Sequence, residues 1–246
     1  MKRILILILA LIITFIIPYG FAKAISDLYA KSFSDGGAAG FFILTFIHRL
    51  AQFIITTILF ALIFNRFDIN MGFSFDDIVN QLKLFKSVVI MWPILTIVFF
   101  LFTTIFVDGF IDYLSNLYPL ETGWVLAKVG RDVLLLDALA EEVLNRAFII
   151  QLIAIYWSNR FRLGSWSISH AALLSVPLFV LSHIQVELFP FSIKGYDPIQ
   201  LGLTFFTGLL FAYAYERTKG LLVPIFLHGY TNFTITVVAY LTLAIV

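Results

Sequence analysis

The 246-residue chain has no cysteine, which removes disulfides, thiolate metal ligands and a cysteine nucleophile from consideration. Charge is scarce. Asp, Glu, Lys and Arg make up 13% of residues, against roughly 25% in ordinary soluble domains. With 16 basic and 15 acidic residues the net charge is +1, which gives no electrostatic footprint for nucleic acid. Missing too are a low-complexity tail, a long polar linker and an internal repeat of the kind that marks many transporters. What remains is apolar: 61% of the residues are hydrophobic and 28 are Phe. That excludes a soluble domain and predicts a multi-pass protein of the cell membrane.

A spanning helix needs about 20 apolar residues. Seven segments qualify: 4–21, 40–64, 88–107, 133–157, 167–186, 199–213 and 221–246. The sixth is short and the last long, so eight spans remain open through a broken final segment. The fold class expected is all-α, a polytopic bundle of seven to eight helices forming one membrane domain over 1–246, with a catalytic core in 131–246. Lys2, Arg3, the apolar run and Ala22-Lys23-Ala24 imitate a cleavable signal peptide, but the run reaches spanning length and a retained first helix is the expectation. Lys and Arg in the loops favour a cytoplasmic N-terminus: nine, Arg66 among them, fall on one side and five on the other. Residues 67–86 read as an interfacial helix capped near Ser74 or Asp76. Asp, Asn, Pro and Gly punctuate 108–130, an outer loop with at most a short helix. Further turns fall at 159–164, 190–198 and 216–220.

Ionisable groups inside a membrane are costly and ask for partners. Glu141, Glu142 and Arg146 lie in the fourth segment, His183 in the fifth, His228 and Asn232 in the last. Residues four apart share a helix face, which pairs Glu142 with Arg146 and sets His228 beside Asn232. Glu141 is turned about 100° from its neighbour and has no local counter-ion. At about 1.5 Å per residue, Glu141 and His183 each lie roughly 24 Å from the cytoplasmic ends of their helices, with His228 and Asn232 at roughly 10 and 16 Å. A carboxylate, two imidazoles and a carboxamide converging in a low-dielectric pocket suit water attack on a carbonyl, with general-base and oxyanion roles available.

"EEVLNR" at 141–146, "FVLSH" at 179–183 and "ERTKGLLVPIFLHGYTN" at 216–232 together resemble the three motifs E-E-x-x-x-R, F-x-x-x-H and H-x-x-x-N of the CAAX protease and bacteriocin-processing family of intramembrane endopeptidases, related to type II CAAX prenyl proteases. The resemblance covers 141–232. It implies a glutamate-type peptidase in which Glu141 and His183 activate water, His228 and Asn232 act on the oxyanion, and Glu142 and Arg146 support the site. It further implies a membrane-associated protein or peptide as partner, reached through the lipid bilayer; prenylated Cys-a-a-X termini, bacteriocins and pheromones are all candidates.

Other chemistries stay in view. No cofactor is expected, but two His and a Glu could hold zinc, although H-E-x-x-H is absent. Gly164-Ser165-Trp166-Ser167 lacks the second Gly of a serine elbow, and Tyr196-Asp197 lacks the second motif of an aspartyl intramembrane protease. A non-catalytic immunity or scaffold protein, and a proton-coupled transporter using Glu141 and His183, are rivals from other classes. His48, His170, Arg49 and Asp137 read as packing residues, with Asp137 one turn before Glu141 and so able to perturb the pocket. The Phe side chains are expected to face lipid.

Overall fold

The computed structural model describes residues 2–33, 35–65, 69–164, 166–188 and 190–246; Arg66 and Ser165, named above, lie outside the described residues. An unbroken rod, Lys2–Phe33, opens the chain as α1 (Lys2–Phe15), a π-helical stretch (Ile16–Ala22) and α2 (Lys23–Phe33). Pro18 has no N–H with which to close a normal turn, and the helix takes up the wider π pitch around it. Ile6, Ala10, Thr14 and Ile17 form the buried stripe of this rod, while Ile4, Leu5, Ile8 and Leu9 point outward. Apolar side chains on the outside suit lipid as solvent.

Next come α3 (Gly37–Phe64), the short α4 (Ile78–Lys83) and α5 (Lys86–Phe106). Ser74 and Asp76 hydrogen-bond to each other in the turn before α4, which starts just beyond the expected cap. The expected outer loop is largely helical: α6 (Phe110–Leu117) and α7 (Thr122–Val133) fill it. Gly123, Gly130 and three charged groups hid α7 from a reading of composition, because α7 is held by packing against α3 and α12 and not by propensity.

The fourth predicted segment begins three residues late, at α8 (Leu136–Glu142), and continues through a π-helical stretch (Val143–Ile150) into α9 (Gln151–Ala154). Leu135, in left-handed conformation at φ 54°, breaks it from α7. A bulky residue holds that strained geometry only when its surroundings fix it; here the side chain lies against Gly229, where even a Cβ would meet Leu135 Cδ2 at 2.0 Å. All of residues 141–150 are buried. This helix is therefore the centre of the bundle rather than a lipid-facing span.

An antiparallel hairpin, β1 (Arg160–Leu163) and β2 (Trp166–Ser169), leads into α10 (His170–Leu181), which Ser169 caps by accepting from the Ala172 N–H. The fifth predicted segment is thus a helix of only 12 residues. A second hairpin, β3 (Gln185–Leu188) and β4 (Phe191–Gly195), follows. Asp197 caps α11 (Pro198–Thr218), accepting from Ile199 and Gln200 N–H with Pro198 in the first turn. The last segment is one helix, α12 (Leu222–Ile245), without the break that an eighth span would need. Among the described residues, five helices are long and apolar enough to cross a membrane: Lys2–Phe33, Gly37–Phe64, Lys86–Phe106, Pro198–Thr218 and Leu222–Ile245. The fold is a helical membrane bundle, as expected, with two small hairpins added. Phe102, Phe106 and Phe206 do face outward, but Phe64, Phe148, Phe179 and Phe211 are core, a correction to the lipid-facing expectation.

Gly208 on α11 lets that helix approach α10: an added Cβ would lie 2.8 Å from Phe179 Cδ1. Gly208→Ala gains about 1 kcal/mol of helix propensity but presses on a buried ring, at about 1–3 kcal/mol, so a net fall in melting temperature in detergent is expected. Gly202→Ala, on the same helix with open space around it, should be stabilising. Equal stabilisation by both changes would contradict this packing.

Candidate active site

Glu141 and Glu142 are adjacent on the last turn of α8, so their side chains diverge. Glu142, fully buried, accepts from Arg146 Nε at 2.8 Å and from His228 Nδ1 at 2.9 Å. The expected i,i+4 pair is present, and it also anchors a helix from the far end of the sequence. Arg146 Cζ stands 4.8 Å from the Phe179 ring centre, a cation–π contact, while its Nη1 and Nη2 have no hydrogen-bond partner among the described residues.

Glu141 faces the other way, toward a cavity of about 780 Å³. Its Oε1 is held by Arg49 Nη2 of α3 at 2.7 Å. Oε2 is left facing His183 Nε2 at 3.9 Å and His228 Nε2 at 3.8 Å. Asn145 donates to the Glu141 backbone carbonyl at 2.8 Å, steadying the turn where the helix widens. The four residues singled out for catalysis thus line one cavity: Glu141, His183, His228 and Asn232. The Asn232 side chain makes no hydrogen bond to the described residues; it sits one turn beyond His228 on α12.

Both imidazoles are fixed by their other nitrogen. His183 lies just past the C-terminus of α10, and its Nδ1 is 2.9 Å from the Phe179 carbonyl oxygen. A carbonyl only accepts, so Nδ1 carries the proton and Nε2 turns its lone pair to the cavity. The His228 ring stacks on Phe211, at 4.8 Å between centres and 17° between planes, and gives its Nδ1–H to Glu142. Phe179 meets both rings edge-on. The Phe of the second motif is therefore the wedge that spaces the two imidazoles and the Arg146 guanidinium.

Sequence reasoning left Arg49 and Asp137 as packing residues and found no counter-ion for Glu141. The structure corrects this. All three guanidinium nitrogens of Arg49 are engaged: Nη2 with Glu141, Nε with Asp137, and Nη1 donating to Gln52 Oε1 at 2.9 Å. Asp137 is shared with Arg131 Nε at 3.2 Å, and Arg131 in turn holds Asp132 at 2.9 Å. A usable signal existed, since an unpaired intramembrane Arg in one span and an unpaired Glu in another invite pairing. Helical spacing cannot supply it, because it relates residues only within one helix. His48 also lines the cavity, whereas His170 opens α10 away from it.

The buried pair makes a stability prediction. Arg146→Leu strands the Glu142 carboxylate and should cost about 3–5 kcal/mol, while adding Glu142→Gln, which keeps an acceptor for His228, should recover much of it. Thermal unfolding of the single and double variants in detergent measures this; equal losses in both would refute it.

Comparison with known proteins adds one match. The family model described as type II CAAX prenyl endopeptidase Rce1-like covers residues 92–234, more than half of the chain and all three motifs. Neither a curated protein nor a solved structure matches significantly. With four polar groups gathered round one cavity inside a helical membrane bundle, and with that match spanning them, the chain belongs to the Rce1-like family of type II CAAX prenyl endopeptidases, a family of membrane proteases.

Proposed function

We propose that this protease is an intramembrane endopeptidase that hydrolyses a peptide bond near the end of a membrane-associated protein or peptide, using water activated by Glu141. The observation that carries the reading is the free oxygen of Glu141, with two imidazole Nε2 atoms 3.8 and 3.9 Å away. Those gaps are too long for direct hydrogen bonds and of the length that a bridging water spans. Arg49 on the opposite oxygen fixes which face of the carboxylate is available.

In this reading the water oxygen attacks the scissile carbonyl carbon while its proton passes to Glu141 Oε2. His183 Nε2 accepts the second hydrogen of the water and orients it. The oxyanion forms toward the Asn232 carboxamide N–H and toward His228, which with Nδ1–H held by Glu142 donates from Nε2 as the imidazolium. Collapse of the tetrahedral intermediate breaks the C–N bond, and the proton held at Glu141 goes to the leaving amine. Glu142 and Arg146 keep His228 in register and touch no reacting atom.

Zinc is the natural competitor for water activation. Its donors fit poorly: no group of three or more His, Asp or Glu among the described residues could hold a metal ion, and the Arg49 guanidinium already occupies one side of Glu141. No step is therefore assigned to a metal. Chelator treatment followed by dialysis should leave the rate unchanged, and a loss restored only by added zinc would overturn the glutamate assignment.

For the substrate, the Lys and Arg bias supports a cytoplasmic N-terminus in the cell membrane. The cavity is lined by Tyr113, Tyr118 and Lys128 and by Gly195 and Asp197, all from connections at the end opposite Lys2. That arrangement favours a substrate terminus presented on the outer face, such as a pheromone or bacteriocin precursor, over a prenylated cytosolic one. The test uses two fluorogenic peptides in liposomes, one prenylated at a Cys followed by three residues and one anchored by an apolar segment. Glu141→Gln should lower cleavage of the accepted peptide by about 10²–10⁴-fold without changing the melting temperature. Unimpaired cleavage by a folded Glu141→Gln protein would sink the mechanism.

A further inference from the structure

The second hairpin, β3 with β4, is a sheet of two strands, so each strand has one edge without a partner strand. The two edges are not equivalent. β3 packs on the π-helical stretch of the opening rod: Val186 is buried, and Leu188 Cδ1 lies 3.4 Å from where a Cβ on Gly20 would stand. Among the described residues β4 packs substantially against β3 alone. Directly opposite residues share a face, and Val186 pairs with Ile193, Leu188 with Phe191. The apolar face therefore starts over the rod and runs on beyond it, where Phe191 and Ile193 are exposed.

In an antiparallel ladder alternate residues turn their N–H and C=O away from the partner strand, so the outer edge of β4 offers a donor and an acceptor about every 7 Å. Unpaired backbone groups are costly in a membrane protein, and such an edge is a template for another strand. A Lys often guards an edge; here Lys194 is drawn back to Glu187 of β3, at 2.5 Å.

The hairpin opens onto the cavity. His183 stands two residues before β3, and Gln185, Gly195 and Tyr196 line the cavity that Glu141 faces. Lys194 is the extra residue of a bulge, since Gln185 pairs with Gly195 but Val186 with Ile193. A bulge bends its strand, and this one lies at the cavity end. The occupant that fits is an extended peptide. A helix closes its own backbone hydrogen bonds and has none to give an edge.

We infer that the outer edge of β4 receives the substrate as a third strand, pairing through main-chain hydrogen bonds with the residues on one side of the scissile bond. This rests on the peptidase reading above and adds what the site recognises: an extended backbone with apolar side chains at alternate positions beside Phe191 and Ile193. β4 touches no reacting atom; it binds the substrate and aligns it.

The test takes a peptide that wild type cleaves in liposomes and N-methylates it at each residue in turn, outside the scissile bond. On one side of the cut KM should rise at every second residue, by about 2- to 10-fold for each hydrogen bond lost, with little change at the residues between and little in kcat. Because the chain has no cysteine, Ile193→Cys in a Glu141→Gln background carries a single thiol. Peptides with one Cys at successive positions should form a disulfide with it at alternate positions only. N-methyl effects that are absent, or equal at consecutive residues, overturn the pairing while leaving the peptidase intact. Cross-linking at no position, or equally at neighbouring ones, overturns it as well. If folded wild type cleaves no peptide at all, the peptidase reading itself fails and this inference goes with it.

Discussion

Two adjacent carboxylates at the start of a helical stretch buried throughout, residues 141–150, are the constraint from which the rest of the molecule follows. An ionised carboxylate out of water costs several kcal/mol unless charge and hydrogen bonds replace its hydration. The 100° turn between neighbours sends Glu141 and Glu142 to different sides of the helix, and each collects its own partners. Glu142 is closed off by Arg146 and His228, with both oxygens used. Glu141 is closed on one oxygen only, by Arg49. That asymmetry separates a carboxylate that holds structure from one that faces a cavity, though the two are chemically identical.

Much of the surrounding architecture serves this arrangement. α8 must be central, because its partners arrive from α3, from the loop after α10 and from α12. α10 stops after 12 residues, which frees the chain to turn back and bring His183 to the cavity edge, where its Nδ1 closes on Phe179. The opening rod is tied to the same loop, since Tyr19 donates to the Ser182 carbonyl at 2.8 Å. The strained Leu135 bend sets α7 and α8 at an angle that lets Arg131 share Asp137 with Arg49. Replacing such ion pairs with apolar side chains often costs a protein nothing, so a network of this size in a bundle otherwise made of Leu, Ile and Phe is better explained by what it orients than by what it stabilises.

Several of these features were legible in the residues alone. The apolar runs located the long helices, and three short motifs located the four cavity residues, because each motif is a statement about one helix face. The Glu142–Arg146 pair came from i,i+4 spacing. The ends were less legible: α7 has too many Gly and charged residues to read as helix, and the β3–β4 hairpin lies where only turn residues could be seen. Phe179 was recorded as a motif position, yet its function as a wedge between two imidazoles and a guanidinium was not visible.

By itself, then, the sequence determined a helical membrane protein and the polar groups that needed company, since hydropathy and helical periodicity are local properties of a chain. Only the tertiary structure decided who keeps company with whom. Arg49 and Glu141 stand 92 positions apart, and their meeting depends on how α3 is rotated against α8, which is set by the packing of both helices against α7 and is written in no single segment.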